Sequence, residues 1–226
     1  MTHLQADVNG QIPRDDNYLD RSNVIVKTVQ LLVDHGADVN ALDSTHSTPL
    51  HLVLLQEVPE AVQFLINHGA DVNAQNETNL TPLHMASLPG DVKIVQLLIG
   101  HGADVTAKDW KHQTPLHFAL SWVSTDTASF MFSLRAGINV QNLETTKGNR
   151  LNPSAKADTV PLLIKPGADV TALDTTHSTP SHMASSFRLS GGMQILIEHG
   201  ADINAQNESH STPLHLASSS VSTSTG

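Results

Sequence analysis

From residue 92 to residue 99 the apolar side chains of Val92, Ile94, Val95, Leu97, Leu98 and Ile99 recur at helical spacing and form a strongly apolar face. Such a face has to be buried against a neighbouring element. The run ends at His101-Gly102, where glycine accepts the left-handed conformation that closes a helix, and an extended Ala-Asp-Val-Thr segment follows. A different, shorter element precedes runs of this kind. At Thr48-Pro49 the threonine hydroxyl can cap a helix, and proline suits the first turn, where its missing N–H is not needed. The pattern predicts a short helix opening at Thr-Pro, a more apolar second helix closing at glycine, and a polar turn before the next pair.

The pattern is periodic. Thr-Pro-Leu-His begins at Thr48, Thr81, Thr114 and Thr212, with the variant Thr179-Pro180-Ser181-His182 between the last two, so the starts are separated by 33, 33, 65 and 33 residues. The interval of 65 equals 33 plus 32 and is expected to hold a repeat whose signature has eroded. In phase with this motif run Gly36-Ala37-Asp38-Val39-Asn40, Gly69-Ala70-Asp71-Val72-Asn73, Gly102-Ala103-Asp104-Val105-Thr106, Gly167-Ala168-Asp169-Val170-Thr171 and Gly200-Ala201-Asp202-Ile203-Asn204. A damaged copy falls at Arg135-Ala136-Gly137-Ile138-Asn139.

A 33-residue period carrying Thr-Pro-Leu-His-x-Ala resembles the ankyrin repeat, a β-turn followed by two antiparallel helices. The resemblance covers roughly residues 22 to 218 and implies an all-α solenoid of about six repeats, one of them degenerate, with β-turn or hairpin tips and antiparallel helix pairs. Residues 1–21 read as a degenerate N-terminal segment, in which Gln5-Ala6-Asp7-Val8-Asn9 looks like the tail of an earlier repeat. Residues 219–226 form a Ser/Thr-rich tail. The family usually has glycine two residues before the motif threonine. This sequence has His46, Asn79, His112, His177 and His210 there, and Asn and His are among the few non-glycine residues that tolerate positive φ.

The array is expected to be damaged near residues 143–166. That stretch lacks the Thr-Pro-Leu-His signature, carries Pro153 in the first-helix region, and places Pro161 where other repeats have the middle of the second helix. An interior proline costs ~3 kcal/mol, so a shortened second helix and a soft joint are expected. Gly191-Gly192 should weaken the second helix of the following repeat, glycine costing ~1 kcal/mol relative to alanine. Residues 36–52 match 167–183 at 13 of 17 positions, which points to duplication of a block of repeats. An excerpt of a longer array is one reading of the incomplete ends.

Composition narrows the chemistry. Aromatic residues make up 4% and charged residues 15% of the 226, thin for one globular core and suited to layers that each bury small aliphatic side chains. The formal charge of −10 and the lack of a basic cluster argue against nucleic acid as a partner. With no cysteine, disulfides, thiolate metal sites and a cysteine nucleophile are excluded. No stretch approaches the ~20 apolar residues of a membrane span, so a soluble protein of the cytoplasm, or alternatively the nucleus, is expected.

Of the fourteen histidines, His51, His84, His117, His182 and His215 belong to the capping motif, and His35, His68, His101 and His199 precede the closing glycine. Both sets are read as scaffold. Equivalent tips in stacked repeats lie ~10 Å apart, too far for donors that must sit ~2 Å from a zinc ion, so no metal site is expected. No Ser-His-Asp or paired-carboxylate arrangement stands apart from the repeat, and Gly191-Gly192 lies in no phosphate-loop pattern. No enzyme activity, cofactor or small-molecule substrate is expected.

The resemblance implies binding to another protein through the tips and the exposed side of the first helices, which together form a concave groove. Carried onto this sequence, those positions are Ser44, Thr45, Glu77, Thr78, Trp110, Lys111, Gln113, Ser121, Trp122, Thr175, Phe187, Glu208 and Ser209. Both tryptophans fall on this surface in one central repeat, and tryptophan is enriched among interface hot spots. The alternative for Trp122 is space-filling beside Phe130 and Phe132. Asn40, Asn73 and Asn204 resemble positions at which repeats of this kind are hydroxylated on asparagine. The expected function is a protein-binding module. The alternatives are a regulatory or sensor part of a larger multidomain signalling protein, and a decaying array with no function of its own.

Overall fold

The computed structural model describes residues 16–56, 58–121 and 153–219. Trp122, Phe130, Phe132 and the damaged motif at Arg135–Asn139 lie outside these residues. Among the described residues there are ten helices and no strand: α1 (Asp16–Asp34), α2 (Pro49–Gln56), α3 (Pro59–Asn67), α4 (Pro82–Ser87), α5 (Val92–Gly100), α6 (Pro115–Ala119), α7 (Pro153–Ile164), α8 (Pro180–Ser186), α9 (Ser190–Glu198) and α10 (Pro213–Ser218). The first helices α2, α4, α6, α8 and α10 pack in one row, and α1, α3, α5, α7 and α9 pack in a second row behind them.

Local chemistry sets where each helix begins and ends. Thr81, Thr114, Thr179 and Thr212 each stand in an extended conformation with proline in the first turn, as at Thr81 (φ −95°, ψ 163°). The histidine three residues on then reaches back. Thr81 donates its backbone N–H to His84 Nδ1 at 3.2 Å, and its hydroxyl lies 2.9 Å from the same nitrogen. Second helices close as expected, on left-handed glycine such as Gly69 (φ +87°) and Gly102 (φ +86°). His35, His68, His101 and His199, each before its closing glycine, bond back through Nδ1, His101 to the Leu97 carbonyl at 2.8 Å.

The tips are tight hairpins. In Asp43–Ser47, Asp43 N–H donates to the Ser47 carbonyl and His46 N–H to the Asp43 carbonyl. His46, Asn79, His112, His177 and His210 all stand at φ between 56° and 59°, the strained region that the sequence assigned to them.

The layers are held in register by side chains that bridge to the next repeat. His51 Nε2 donates to the Leu80 carbonyl at 3.1 Å and His84 Nε2 to the Gln113 carbonyl at 3.0 Å, each spanning 29 residues. Asn40 donates through Nδ2 to the Gly69 carbonyl and accepts the Asp71 N–H on Oδ1, and Asn73 repeats this clamp on Gly102 and Asp104. Between the two rows lies one continuous aliphatic core, with Leu50, Leu83, Leu98, Leu116, Leu163 and Leu196 all fully buried.

Between residues 114 and 179 the stacking skips. His117 Nε2 donates to the Ser178 carbonyl at 3.3 Å, a span of 61 residues instead of 29, and Thr175 N–H donates to the Lys111 carbonyl at 2.9 Å. The tip at Asp109–Gln113 therefore lies directly against the tip at Asp174–Ser178. The second helix of that layer is α7, which packs on α6 and between α5 and α9. One layer is thus composite, its first helix taken from 115–119 and its second from the degenerate stretch. Among the described residues this makes four complete pairs, with α1 and α10 each a single helix beside them.

The shortened second helix expected at Pro161 does not form. α7 runs for 12 residues straight through Pro161, against nine in α3, α5 and α9. Pro161 is exposed while Thr159, Val160 and Leu163 on the inner face are fully buried. Burying two such aliphatic side chains contributes roughly 3–6 kcal/mol, enough to outweigh the missing N–H.

Candidate functional site

The tips share one framework. An Asp or Asn opens each turn and gathers its N–H groups: Asp109 Oδ1 accepts from Lys111 N–H at 2.9 Å and from Gln113 N–H at 2.7 Å. Asp43, Asn76, Asp174 and Asn207 do the same in their own turns. Burial pushes the carboxyls of Asp43 and Asp174 up. The hydroxyls of Thr45 and Thr176, together with backbone N–H groups, pull them back below the ordinary value. Asp109 has no such hydroxyl, and burial raises it despite its backbone donors and the nearby Lys111 ammonium.

Successive tips are joined through their backbones. Glu77 N–H donates to the Thr45 carbonyl, Trp110 to Thr78, Thr175 to Lys111 and Glu208 to Thr176, at 2.9–3.1 Å. This ladder aligns Ser44, Glu77, Trp110, Thr175 and Glu208 in one row, all of them exposed. The five therefore stand side by side, about one helix diameter apart.

Trp110 stands at the centre of the row, 59% exposed, with the Lys111 Nζ 5.0 Å from its ring centroid. An ammonium over an indole face is an attractive arrangement that also limits the ring's freedom. Trp110 is flanked by Glu77 on one neighbouring tip and Thr175 on the other.

Other groove positions are used by the scaffold. Thr45 and Thr78 spend their hydroxyls on Asp43 and Asn76. Gln113 donates through Nε2 to Asp174 Oδ2 at 3.2 Å, bracing the composite layer's tip to the next. Ser121 donates its hydroxyl to the His117 carbonyl at 2.6 Å. Phe187 is half-buried against the main core and does not join the row. Ser209 is exposed beside Glu208.

Four of the capping histidines, His51, His84, His117 and His182, lie deep in the stack, and His215 is exposed. Because Nδ1 accepts the threonine N–H while Nε2 donates to the next repeat, each of His51, His84 and His117 is held as the neutral Nε2–H tautomer. Burial holds all three below the ordinary histidine value, His84 at about 4, while the backbone carbonyls they bond to oppose this only in part. Among the described residues no three His, Asp or Glu side chains converge as metal donors. No helix among them is long and apolar enough to cross a membrane.

The bridging roles of Asn40 and Asn73, and of the histidine Nε2 atoms, were not read from the sequence. Their signal was present in the recurrence of the same residues at the same phase, but the partners are backbone atoms, which carry no residue identity.

Geometry of this kind defines a class, a helical repeat array whose tips form a continuous outer row. The models of ankyrin repeats (3 copies) match residues 21–109 and 56–142, and the model of ankyrin repeats (many copies) matches residues 163–217. The chain belongs to the ankyrin repeat family. Its members are generally protein–protein interaction modules and typically not enzymes. No curated protein matches the chain.

Proposed function

We propose that this chain is a protein-recognition module that engages its partner along the tip row, with Trp110 as the anchor. The observation that carries the reading is a large indole left more than half exposed at the centre of a hydrogen-bonded row of tips. An isolated exposed aromatic on a mobile loop would lose ordering entropy on binding. Trp110 sits in a turn whose backbone is already fixed on both sides, so less ordering remains to be done.

The surroundings suggest the partner's character. Glu77 and Glu208 flank the row with one cation, Lys111, and the chain carries −10 overall. These charges favour a neutral-to-basic protein surface that offers an apolar pocket to the indole. Thr175 and Ser44 add hydroxyls at the rim, and the exposed Ser209 adds a third. Nothing in the row has the convergent donors of a catalytic or small-molecule site, so the reading is a binding protein without enzymatic activity.

Proteins retained from a lysate of source cells by immobilised wild-type chain are compared with those retained by Trp110→Ala. A specific partner is expected to be lost, with affinity for it lowered at least about tenfold, since truncating such an anchor costs ~2 kcal/mol. Thermal stability should be unchanged, because the indole is exposed. Retention of the same set by both chains removes Trp110 as the anchor and, with it, the tip row as the binding surface.

A further inference from the structure

Burial alternates along the arms that lead into the tips. Ala107 and Asp109 are buried while Lys108 and Trp110 are exposed, and Ala172 and Asp174 are buried while Leu173 and Thr175 are exposed. Alternate side chains of an extended segment share a face, so Lys108 shares the outer face with Trp110, and Leu173 shares it with Thr175. Leu173 is 46% exposed. The bond from Thr175 N–H to the Lys111 carbonyl sets these two tips side by side. A leucine stands there because the stacking skips. One period beyond Lys108 the chain carries Gln141, and the same phase of other tips holds Gln75 and Gln206. The composite layer brings Leu173 next to Trp110 instead.

We propose that Trp110 and Leu173 form a two-point anchor for an amphipathic helix of the partner, laid along the tip row. This rests on the tip-row reading and adds the form of the partner. Successive tips stand ~10 Å apart, and seven residues of α-helix rise ~10.5 Å. A helix along the row therefore meets one tip per heptad, with apolar side chains at i and i+7 over Trp110 and Leu173. The drift of a straight helix against a seven-residue repeat, about 20° per heptad, stays small over this length.

Charge extends the pattern. The exposed Glu77 and Glu208 stand on the tips to either side, so the matching helix is basic at i−7 and i+14. Lys108 and Lys111 bracket the indole, and an acidic pair midway between the two apolar positions answers them. An extended segment fits less well. The N–H groups of Glu77, Trp110, Thr175 and Glu208 are already donated to preceding tips, so the row lacks the free donors on which an added strand would pair, whereas a helix satisfies its own backbone.

The probe is a labelled alanine- and glutamine-based helical peptide of about 22 residues. It carries two leucines seven residues apart, an arginine seven residues outside each, and two glutamates midway. The pattern reads the same in both directions, so either orientation fits. A control peptide of the same composition has its leucines four residues apart. Fluorescence anisotropy with the full chain is expected to show binding of the heptad peptide and at least about tenfold weaker binding of the control. Trp110→Ala and Leu173→Gln should each lower affinity for the heptad peptide about tenfold. Glutamine already occupies the position of Leu173 on two other tips, so Leu173→Gln should keep the wild-type circular dichroism. Leu42→Ala should change nothing, because Leu42, though exposed, belongs to the first tip, beyond the peptide's reach.

An effect of Trp110→Ala without one of Leu173→Gln would overturn the two-point anchor and leave the tip row standing. Equal binding of the two peptides, or binding of neither, would overturn the helical partner, and the tip row then stands or falls on the retention experiment with Trp110→Ala. A loss on Leu42→Ala as large as that on Leu173→Gln would show general adhesion of apolar side chains, which also overturns the proposal.

Discussion

A histidine whose Nδ1 accepts a backbone N–H cannot take a proton there without losing that bond. At His84 the bond is buried, and protonation must also place a charge where no water reaches. The folded-state value of about 4 lies below the unfolded value of 6.5, and His51 and His117 are lowered for the same reason. As pH falls, the unfolded chain therefore takes up protons first. The stability these residues confer is complete above about pH 6.5 and is lost progressively below it, for His84 down to about pH 4. Over that window His84 alone accounts for roughly 3 kcal/mol. Asp109, raised by burial, works in the opposite sense as it protonates. The expected result is a urea midpoint that is flat from pH 8 to pH 7 and falls steeply between pH 6.5 and pH 4. A midpoint unchanged down to pH 4.5 would mean that these histidines take up protons as readily in the folded protein as in the unfolded chain.

Among the helices, α7 and α9 show how packing overrides propensity. Pro161 removes one bond from α7 yet faces solvent, so Pro161→Ala should restore the bond without disturbing the core and stabilise the protein by about 1–3 kcal/mol. The adjacent glycines of α9 are expected to respond with opposite signs. A Cβ on Gly191 would meet Ala157 Cβ at an ordinary 3.4 Å, so Gly191→Ala should gain up to ~1 kcal/mol of helix propensity. A Cβ on Gly192 would stand 2.5 Å from Leu120 Cδ2, and Leu120 is buried with little room to move. Gly192→Ala should therefore destabilise by about 1–2 kcal/mol. Thermal unfolding of the two variants side by side decides this, and a gain in both would mean that Leu120 repacks freely. Gly192 is thus a seat for a side chain of the composite layer, where the sequence showed only a weak helix.

Across the whole molecule, stability follows the order of the stack. Each layer touches only its neighbours, so a central layer is supported on both sides and a terminal one on a single side. Amide exchange should be slowest in α4 and α5, where Leu83, Val95 and Leu98 are fully buried, and fastest in α1 and α10. Equal protection from end to end at low concentration would mean that the stack unfolds as one unit.

Period, helix pairs, turn residues and closing glycines were all legible in the sequence, because each depends on contacts within about one repeat. Thr48 begins a helix, His46 bears positive φ and Gly69 closes a turn for local reasons that recur every 33 residues. The sequence also indicated the exposed tip positions, among them Trp110. It did not indicate which helix pairs with which across the 65-residue interval. Reading that interval as two full periods follows from counting along the chain, whereas the core selects the second helix that can bury Val160 and Leu163 against α5, α6 and α9. Tertiary structure alone also decided that Gln113 and Phe187 serve the scaffold, that Pro161 is tolerated because its ring faces water, and that Leu32 and Leu214 are left uncovered. Each of these depends on burial against residues distant in the chain, and a repeat sequence writes the same letters whether its neighbour is present or absent.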